Sequence, residues 1–343
     1  MAFDLTEFAE KIGGDMMKAQ TLSAGMKPGV FPGLPIADYL RLAAFSASVA
    51  SDLVDFCPRA AFHSSYLNNS PREADDTAAS DAGTIAHAIL LEGSTDGVAV
   101  IDPNDHPAEK TGAIPSGWTN KSIRAARDAA RAAGKIPVLA DAMGRIEAMV
   151  DSGHAFIESL RDTEPAVWQM FQPGDGESEL TCVWDDDGTL CRMRPDRINP
   201  ERTVIVDLKF TALSAEPDAF SRGPMARHRI SAAFYRRGCQ QLFGTSPDYL
   251  FLVIEDSAPF LCSLVGVDPT GFQIGGEKVA YALNEWRRCL ASGEWPGYPT
   301  RVCYPETPIW EQNRWQEKLG VECDAQGIPY SIDKLFERKR ESA

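Results

Sequence analysis

The sequence predicts an α/β protein whose mixed sheet is flanked by helices. Residues 203–208 (TVIVDL) are a β-branched run that suits a strand buried on both faces. Residues 178–184 (SELTCVW) and 189–194 alternate around Asp185-Asp186-Asp187-Gly188, which reads as a hairpin with its turn. Long helical stretches lie on either side of this β-rich middle. The 343 residues allow about two average domains or one large one. With 44% hydrophobic and 24% charged residues, wholesale disorder is excluded.

Residues 25–35 (GMKPGVFPGLP) hold three prolines and three glycines, which predicts an extended arm. Residues 36–62 read as helical, with Ser46, Ser48 and Ser51 as candidate caps and Pro58 interrupting the run. A short helix is expected over 84–91 (TIAHAILL), with His87 one turn after Gly83. Residues 104–117 read as an exposed loop, and helices follow over 122–133 and 139–160. Beyond the hairpin, a helix is expected over 230–243, strands over 249–255 and 259–267, and a long helix over 276–291. The tail from Trp295 is Pro-rich and ends in a charged helix over 331–343. The expected organisation is an arm over 1–35, a catalytic-type domain over 36–293 and an extension over 294–343.

Lys and Arg number 34 against 49 Asp and Glu, a net charge of −15. Such a balance argues against coating nucleic acid through bulk charge, though not against one local basic cleft. No stretch approaches the roughly 20 apolar residues of a membrane span. The first twenty residues carry acids early and lack an apolar core, so no secretory signal is expected. A cytoplasmic protein with reduced thiols is expected, the eight cysteines mostly filling the core.

The chemistry gathers between residues 179 and 209. Asp196 ends the hairpin's return strand, and Asp207 and Lys209 end the buried run. Residues two apart on a strand share a face, so Asp207 and Lys209 should project together while Leu208 points to the core. Burying that pair is costly unless the strand opens on a cleft. Glu179, on the hairpin's first strand, can meet Asp196 across the sheet. Three carboxylates and a lysine suit Mg²⁺, which keeps waters and phosphate oxygens in its shell. The lysine would orient or help deprotonate a water and offset phosphate charge. His87 offers a further ligand or a phosphate contact. Between 221 and 245 there is no acid but there are Arg222, Arg227, Arg229, Arg236, Arg237 and His228, a stripe able to track a DNA backbone.

Pro195-Asp196, ten intervening residues and Asp207-Leu208-Lys209 resemble the PD-(D/E)XK nuclease signature. The set formed with residues 28–39 (PGVFPGLPIADY), Gly83-Thr84-Ile85-Ala86-His87, Ser178-Glu179, Arg194-Pro195-Asp196, Ala232-Ala233-Phe234-Tyr235 and WPGYP at 295–299 is similar to the RecE-like, exonuclease VIII-type branch from phage and prophage recombination. The resemblance implies a restriction-endonuclease-like core. It implies Glu179, Asp196, Asp207 and the Leu208 carbonyl as ligands of one or two Mg²⁺ or Mn²⁺ ions, Lys209 as the catalytic lysine, and His87 and Tyr235 as site residues. Ser231 stands where that branch carries glutamine. The activity implied is 5′→3′ digestion of linear double-stranded DNA from its ends. A ring-shaped homo-oligomer and a single-strand annealing partner are implied with it. Another nuclease of the same fold (an endonuclease or CRISPR-associated type) and a non-catalytic DNA-binding protein are the alternatives.

Cys57-Pro58-Arg59 resembles the first cysteine of iron–sulfur nucleases related to this fold, which carry three closely spaced cysteines after the core. Here Cys289, Cys303 and Cys323 are separated by 13 and 19 residues, and that spacing argues against a cluster. A preparation purified without oxygen is therefore expected to be colourless; visible absorbance with bound iron would contradict this.

Overall fold

The computed structural model describes residues 27–68, 78–223 and 225–326. In chain order these form β1 (Gly29–Phe31), α1 (Ile36–Arg41), α2 (Ala47–Asp55), α3 (Pro58–Ser64), α4 (Ala78–Glu92), β2 (Val98–Ile101), α5 (Lys121–Ala132), β3 (Ile136–Leu139), α6 (Ala140–Ser159), α7 (Pro165–Met170) and β4 (Glu177–Ser178). Then come β5 (Thr181–Asp186), β6 (Thr189–Met193), β7 (Arg197–Ile198), β8 (Val204–Thr211), α8 (Pro217–Arg222), α9 (Met225–Phe243), β9 (Asp248–Glu255), β10 (Cys262–Gly266), α10 (Pro269–Ser292) and α11 (Ile309–Gln326). The described residues up to Gly297 form one compact unit and those from Tyr298 a second, which contains α11. The first 26 residues of the expected arm and the charged helix expected over 331–343 lie outside the described residues. No helix among the described residues is long and apolar enough to cross a membrane.

The central sheet is mixed, in the order β10-β9-β8-β7-β4. β8 and β9 run parallel, joined by a crossover through α8 and α9, and the other neighbours are antiparallel. Both faces are covered, as the apolar run of β8 requires. Ile205, Tyr249, Phe251 and Val253 join one core with residues of α2, α9 and α10, whereas Val206, Leu208, Leu252 and Ile254 join another with α4 and α6. Alternation along two adjacent strands thus divides the interior into two layers. Gly275 brings α10 against α9 so closely that a Cβ there would lie 2.4 Å from the Arg229 carbonyl oxygen.

The hairpin departs from expectation. One mixed sheet was expected, but β5 and β6 belong with β1 to a separate three-stranded sheet. The break falls at Glu179, whose φ of 53° is left-handed and cannot continue a strand. Residues 178–184 are therefore two strands in two sheets. The segment 29–31, expected only to be extended, pairs with β5, Val30 facing Cys182. Likewise 36–62 is three helices. Phe45 inserts between α1 and α2, its amide donating to the Leu190 carbonyl and its carbonyl accepting from Arg192. Ser46 then caps α2 by accepting from the Val49 amide. The long helix at 269–292 starts a full two turns before its expected onset, with Asp268 capping it and Pro269 in its first turn.

Asp186, assigned from sequence to a turn, has a second role. Its side chain is 1% exposed and hydrogen-bonds Arg237 of α9 and Arg287 of α10, at 2.9 and 3.0 Å through Oδ1. Burial would raise the Asp186 carboxyl, but the hydrogen bonds and charges of its partners outweigh it and hold the group below its ordinary range. A depressed carboxyl contributes stability that is complete above its unfolded pKa, about 3.9, and is lost as pH falls through the folded value. Asp186→Asn is expected to lower stability at pH 7 by about 1–3 kcal/mol, toward the low end because both arginines can rehydrate. Thermal unfolding of parent and variant should converge at low pH; a gap that persists unchanged at pH 3 would contradict the assignment.

Candidate active site

The site is built where β8 leaves the core. β7 lies antiparallel between β4 and β8, with Arg197 opposite both Ser178 and Val206. This register brings Asp196, just before β7, alongside Leu208: the Leu208 amide donates to Asp196 Oδ2 at 2.8 Å. Glu179 follows β4 directly, and its amide donates to the Asp196 carbonyl at 3.2 Å. The strand break at Glu179 thus releases its side chain beside Asp196. Helix α4 supplies His87 from outside the sheet, its Nε2 lying 3.1 Å from Asp196 Oδ2 and 3.7 Å from Glu179 Oε1.

Among the described residues, His87, Glu179 and Asp196 offer three donor atoms within 4.8 Å of one another, enough to hold one metal ion. Two carboxylates and one imidazole form an oxygen-rich set that suits Mg²⁺ or Mn²⁺. Asp207, expected as a ligand, stands beside this trio. Its carboxylate is ion-paired with Lys209, lies against Asp196, and stands near the buried Tyr249. Lys209 also donates to the Leu208 carbonyl at 3.2 Å, the oxygen that the family resemblance implies as a ligand. Leu208 itself is buried, and Asp207 and Lys209 share the opposite side, as the strand period requires.

The electrostatics are those of closely packed charges in a poorly solvated place. Burial raises the Asp207 carboxyl, and the neighbouring Asp196 adds to this, giving a pKa of about 6 despite Lys209. Asp196 is held below its ordinary value: burial opposes ionisation, but His87, Lys209 and the Leu208 amide prevail. Burial likewise opposes the charge on Lys209, yet the two aspartates keep its pKa raised, so it remains an ammonium. His87 is raised in the same way, its burial outweighed by Asp196, Glu179 and Asp207.

The remaining predicted residues are distributed less simply. Tyr235 does not reach a surface groove; its buried hydroxyl donates to the Arg194 carbonyl at 3.3 Å and its ring packs against Tyr249. Arg227 is engaged by Asp52 and Asp55, and Arg229 donates to the Ser221 carbonyl at 3.3 Å. Arg236 lies over the Phe272 ring. Among the described residues, Arg222 pairs with Asp218 at the exposed surface. The arginines of 222–237 therefore do not make one continuous cationic face. On the other side of β8, a cavity of about 560 Å³ opens beside Lys209, lined also by Thr84, Trp118, Arg145 and Asp256. Sequence reasoning gave no role to Arg194, Tyr249 or this cavity. Only Arg194 had a signal, adjacency to Pro195-Asp196.

A family model described as a PDDEXK-like domain of unknown function (DUF3799) matches residues 46–306. The chain belongs to this family. The PDDEXK-like span includes every element that supplies the trio and the Asp207–Lys209 pair. No curated protein matches the chain. Among solved structures, that of a "Putative exonuclease" from Eubacterium rectale is 15% identical, aligned over 78% of this chain and 92% of its own, with a TM-score of 0.49. The crystal structure of SSO0001 is 12% identical over 63% of this chain and 97% of its own, with a TM-score of 0.23.

Asp196 is the member touched by the other groups, accepting from the Leu208 amide and facing His87. Asp196→Ala is expected to weaken Mn²⁺ binding, measured by calorimetry, by roughly ten-fold or more. Unaltered affinity would show that the trio is not the cation site.

Proposed function

We propose that this chain is a Mg²⁺- or Mn²⁺-dependent deoxyribonuclease that digests linear double-stranded DNA from its ends, 5′→3′. The observation that carries this reading is the convergence of His87, Glu179 and Asp196 beside an Asp207–Lys209 pair at the end of one buried strand. The PDDEXK-like family and the order of RecE-like motifs along the chain support it. In this reading the protein is a cytoplasmic recombination exonuclease. It works as a ring-shaped homo-oligomer and hands 3′ single strands to an annealing protein.

The roles follow from position. His87, Glu179, Asp196 and the Leu208 carbonyl would hold the ion, and Asp207 borders them. The chemistry such an ion supplies when bound is Lewis-acid polarisation of a phosphodiester oxygen and acidification of water. Lys209 is anchored by Asp207 and the Leu208 carbonyl, and the residue also lines the cavity. There it can donate to a phosphate oxygen and stabilise developing negative charge without reorganising. Tyr249 packs near Asp207 and helps keep it from water. The cavity beside Lys209 gives the reacting strand room on the open side of β8. Arg222, whose exposed pair with Asp218 is worth little in water, can exchange that partner for a backbone phosphate.

The test is digestion of end-labelled linear duplex in Mg²⁺ next to a covalently closed circle. Release of the 5′ label first, with the circle left intact, is expected. Lys209→Ala should lower turnover by roughly 10²-fold or more. Because it also leaves the buried Asp207 unpaired, a modest fall in unfolding temperature should accompany it. Cleavage of circles would exclude an exonuclease, and a variant as active as its parent would exclude Lys209 from the reaction.

A further inference from the structure

Arg194 joins the cation site to a distant part of the chain. Its side chain is only 12% exposed. Nε donates to Glu179 Oε2, while Nη1 donates to the Leu34 carbonyl at 2.7 Å and to Thr181 Oγ1 at 2.8 Å. The guanidinium also lies over the Tyr39 ring, 5.7 Å from its centroid, and Arg192 covers the same ring at 4.7 Å. Leu34 and Tyr39 belong to the segment that begins with β1 and is zipped onto β5. The backbone around Arg194 is fixed as well, since its carbonyl accepts from Tyr235.

We infer that Arg194 is a positioning residue that aims Glu179 at the cation, and that residues 29–42 are a working part of the site because they hold Arg194. The inference rests on the cation-dependent reading given above. Glu179 needs such help. Its left-handed backbone interrupts the strand, so no sheet neighbour sets the direction of its side chain. With Oε2 taken by Arg194, Oε1 is the oxygen left facing His87, at 3.7 Å. Arg194 thereby presents Glu179 as a one-oxygen ligand, and the forked guanidinium can hold Glu179, Leu34 and Thr181 together. A lysine has the charge but not the fork, and cannot keep all three contacts in that geometry. Groups that orient a ligand from behind typically contribute ten- to a hundred-fold in metal affinity.

Two substitutions in the full chain test this, Arg194→Lys and Tyr39→Leu, the latter touching no proposed ligand. Mn²⁺ affinity by calorimetry and the electron paramagnetic resonance spectrum of bound Mn²⁺ are read beside unfolding temperature without metal. Arg194→Lys should bind Mn²⁺ roughly ten- to a hundred-fold more weakly with an altered spectrum, and raised Mn²⁺ should restore nuclease turnover. Tyr39→Leu should move affinity in the same direction by a smaller factor. Parent-like Mn²⁺ affinity and spectrum in both variants would overturn the inference, even with lower unfolding temperatures. A parent that binds Mn²⁺ but leaves DNA intact removes the nuclease reading alone, and the affinities then still decide the role of Arg194. A parent that binds no Mn²⁺ removes both.

Discussion

The arrangement depends on the cost of placing Asp196 and Asp207 side by side where the buried stretch of β8 gives way to its half-buried end. Like charges at close range, with little water to screen them, disfavour double ionisation. The protein divides the difficulty. Asp196 collects the Leu208 amide and His87 and stays ionised, while Asp207 takes Lys209 and sits on the edge of protonation. The rest of the fold can be read from this division. β8 must be central to bring Leu208 opposite Asp196, α4 must cross the sheet to bring His87, and α9 and β9 must supply the tyrosines beneath.

The supports of the site are themselves ionic and mostly arginine. Arg194 fixes Glu179, and Arg197 ties the Met170 carbonyl to the Ser178 hydroxyl, both at 2.6 Å. Arg237 and Arg287 clamp Asp186 at the tip of the hairpin. A guanidinium suits these places because one planar fork satisfies several acceptors at fixed angles. The hairpin carries little of the central sheet's hydrogen bonding, so its attachment to α9 and α10 through Asp186 matters to the position of Arg194 on its return strand.

What could be read from the sequence, and what could not, follows from the range of the interactions. β8 and β9 were legible because strand-length runs of β-branched, aromatic and aliphatic residues have a local signal, and α5 and α6 because apolar residues recur at helical spacing. The PD and DLK segments were legible because charged residues interrupt apolar runs. The partition of residues 178–184 into two sheets was not, since it turns on one backbone angle at Glu179 that no neighbour in sequence demands. The parallel pair β2 and β3 has four residues per strand, and pairing across 34 intervening residues leaves no local trace. Arg194 looked like part of a motif; its function depends on Leu34 and Tyr39, more than 150 residues away.

The arginine-rich segment shows why composition is a poor guide to a binding surface. Five arginines without an intervening acid look from sequence like a positive stripe, but an α-helix distributes consecutive positions around its axis. Once folded, Arg227 meets Asp52 and Asp55, Arg237 meets Asp186, and Arg236 settles on Phe272. Acids remote in sequence neutralise much of the stripe. For a chain of net charge −15, the attraction that matters to a polyanion is therefore local and short-ranged. In the proposed function it would come chiefly from a cation held by His87, Glu179 and Asp196, and from the Lys209 ammonium beside it. A nuclease built this way would favour DNA that reaches the site, because Arg227, Arg236 and Arg237 are engaged within the protein.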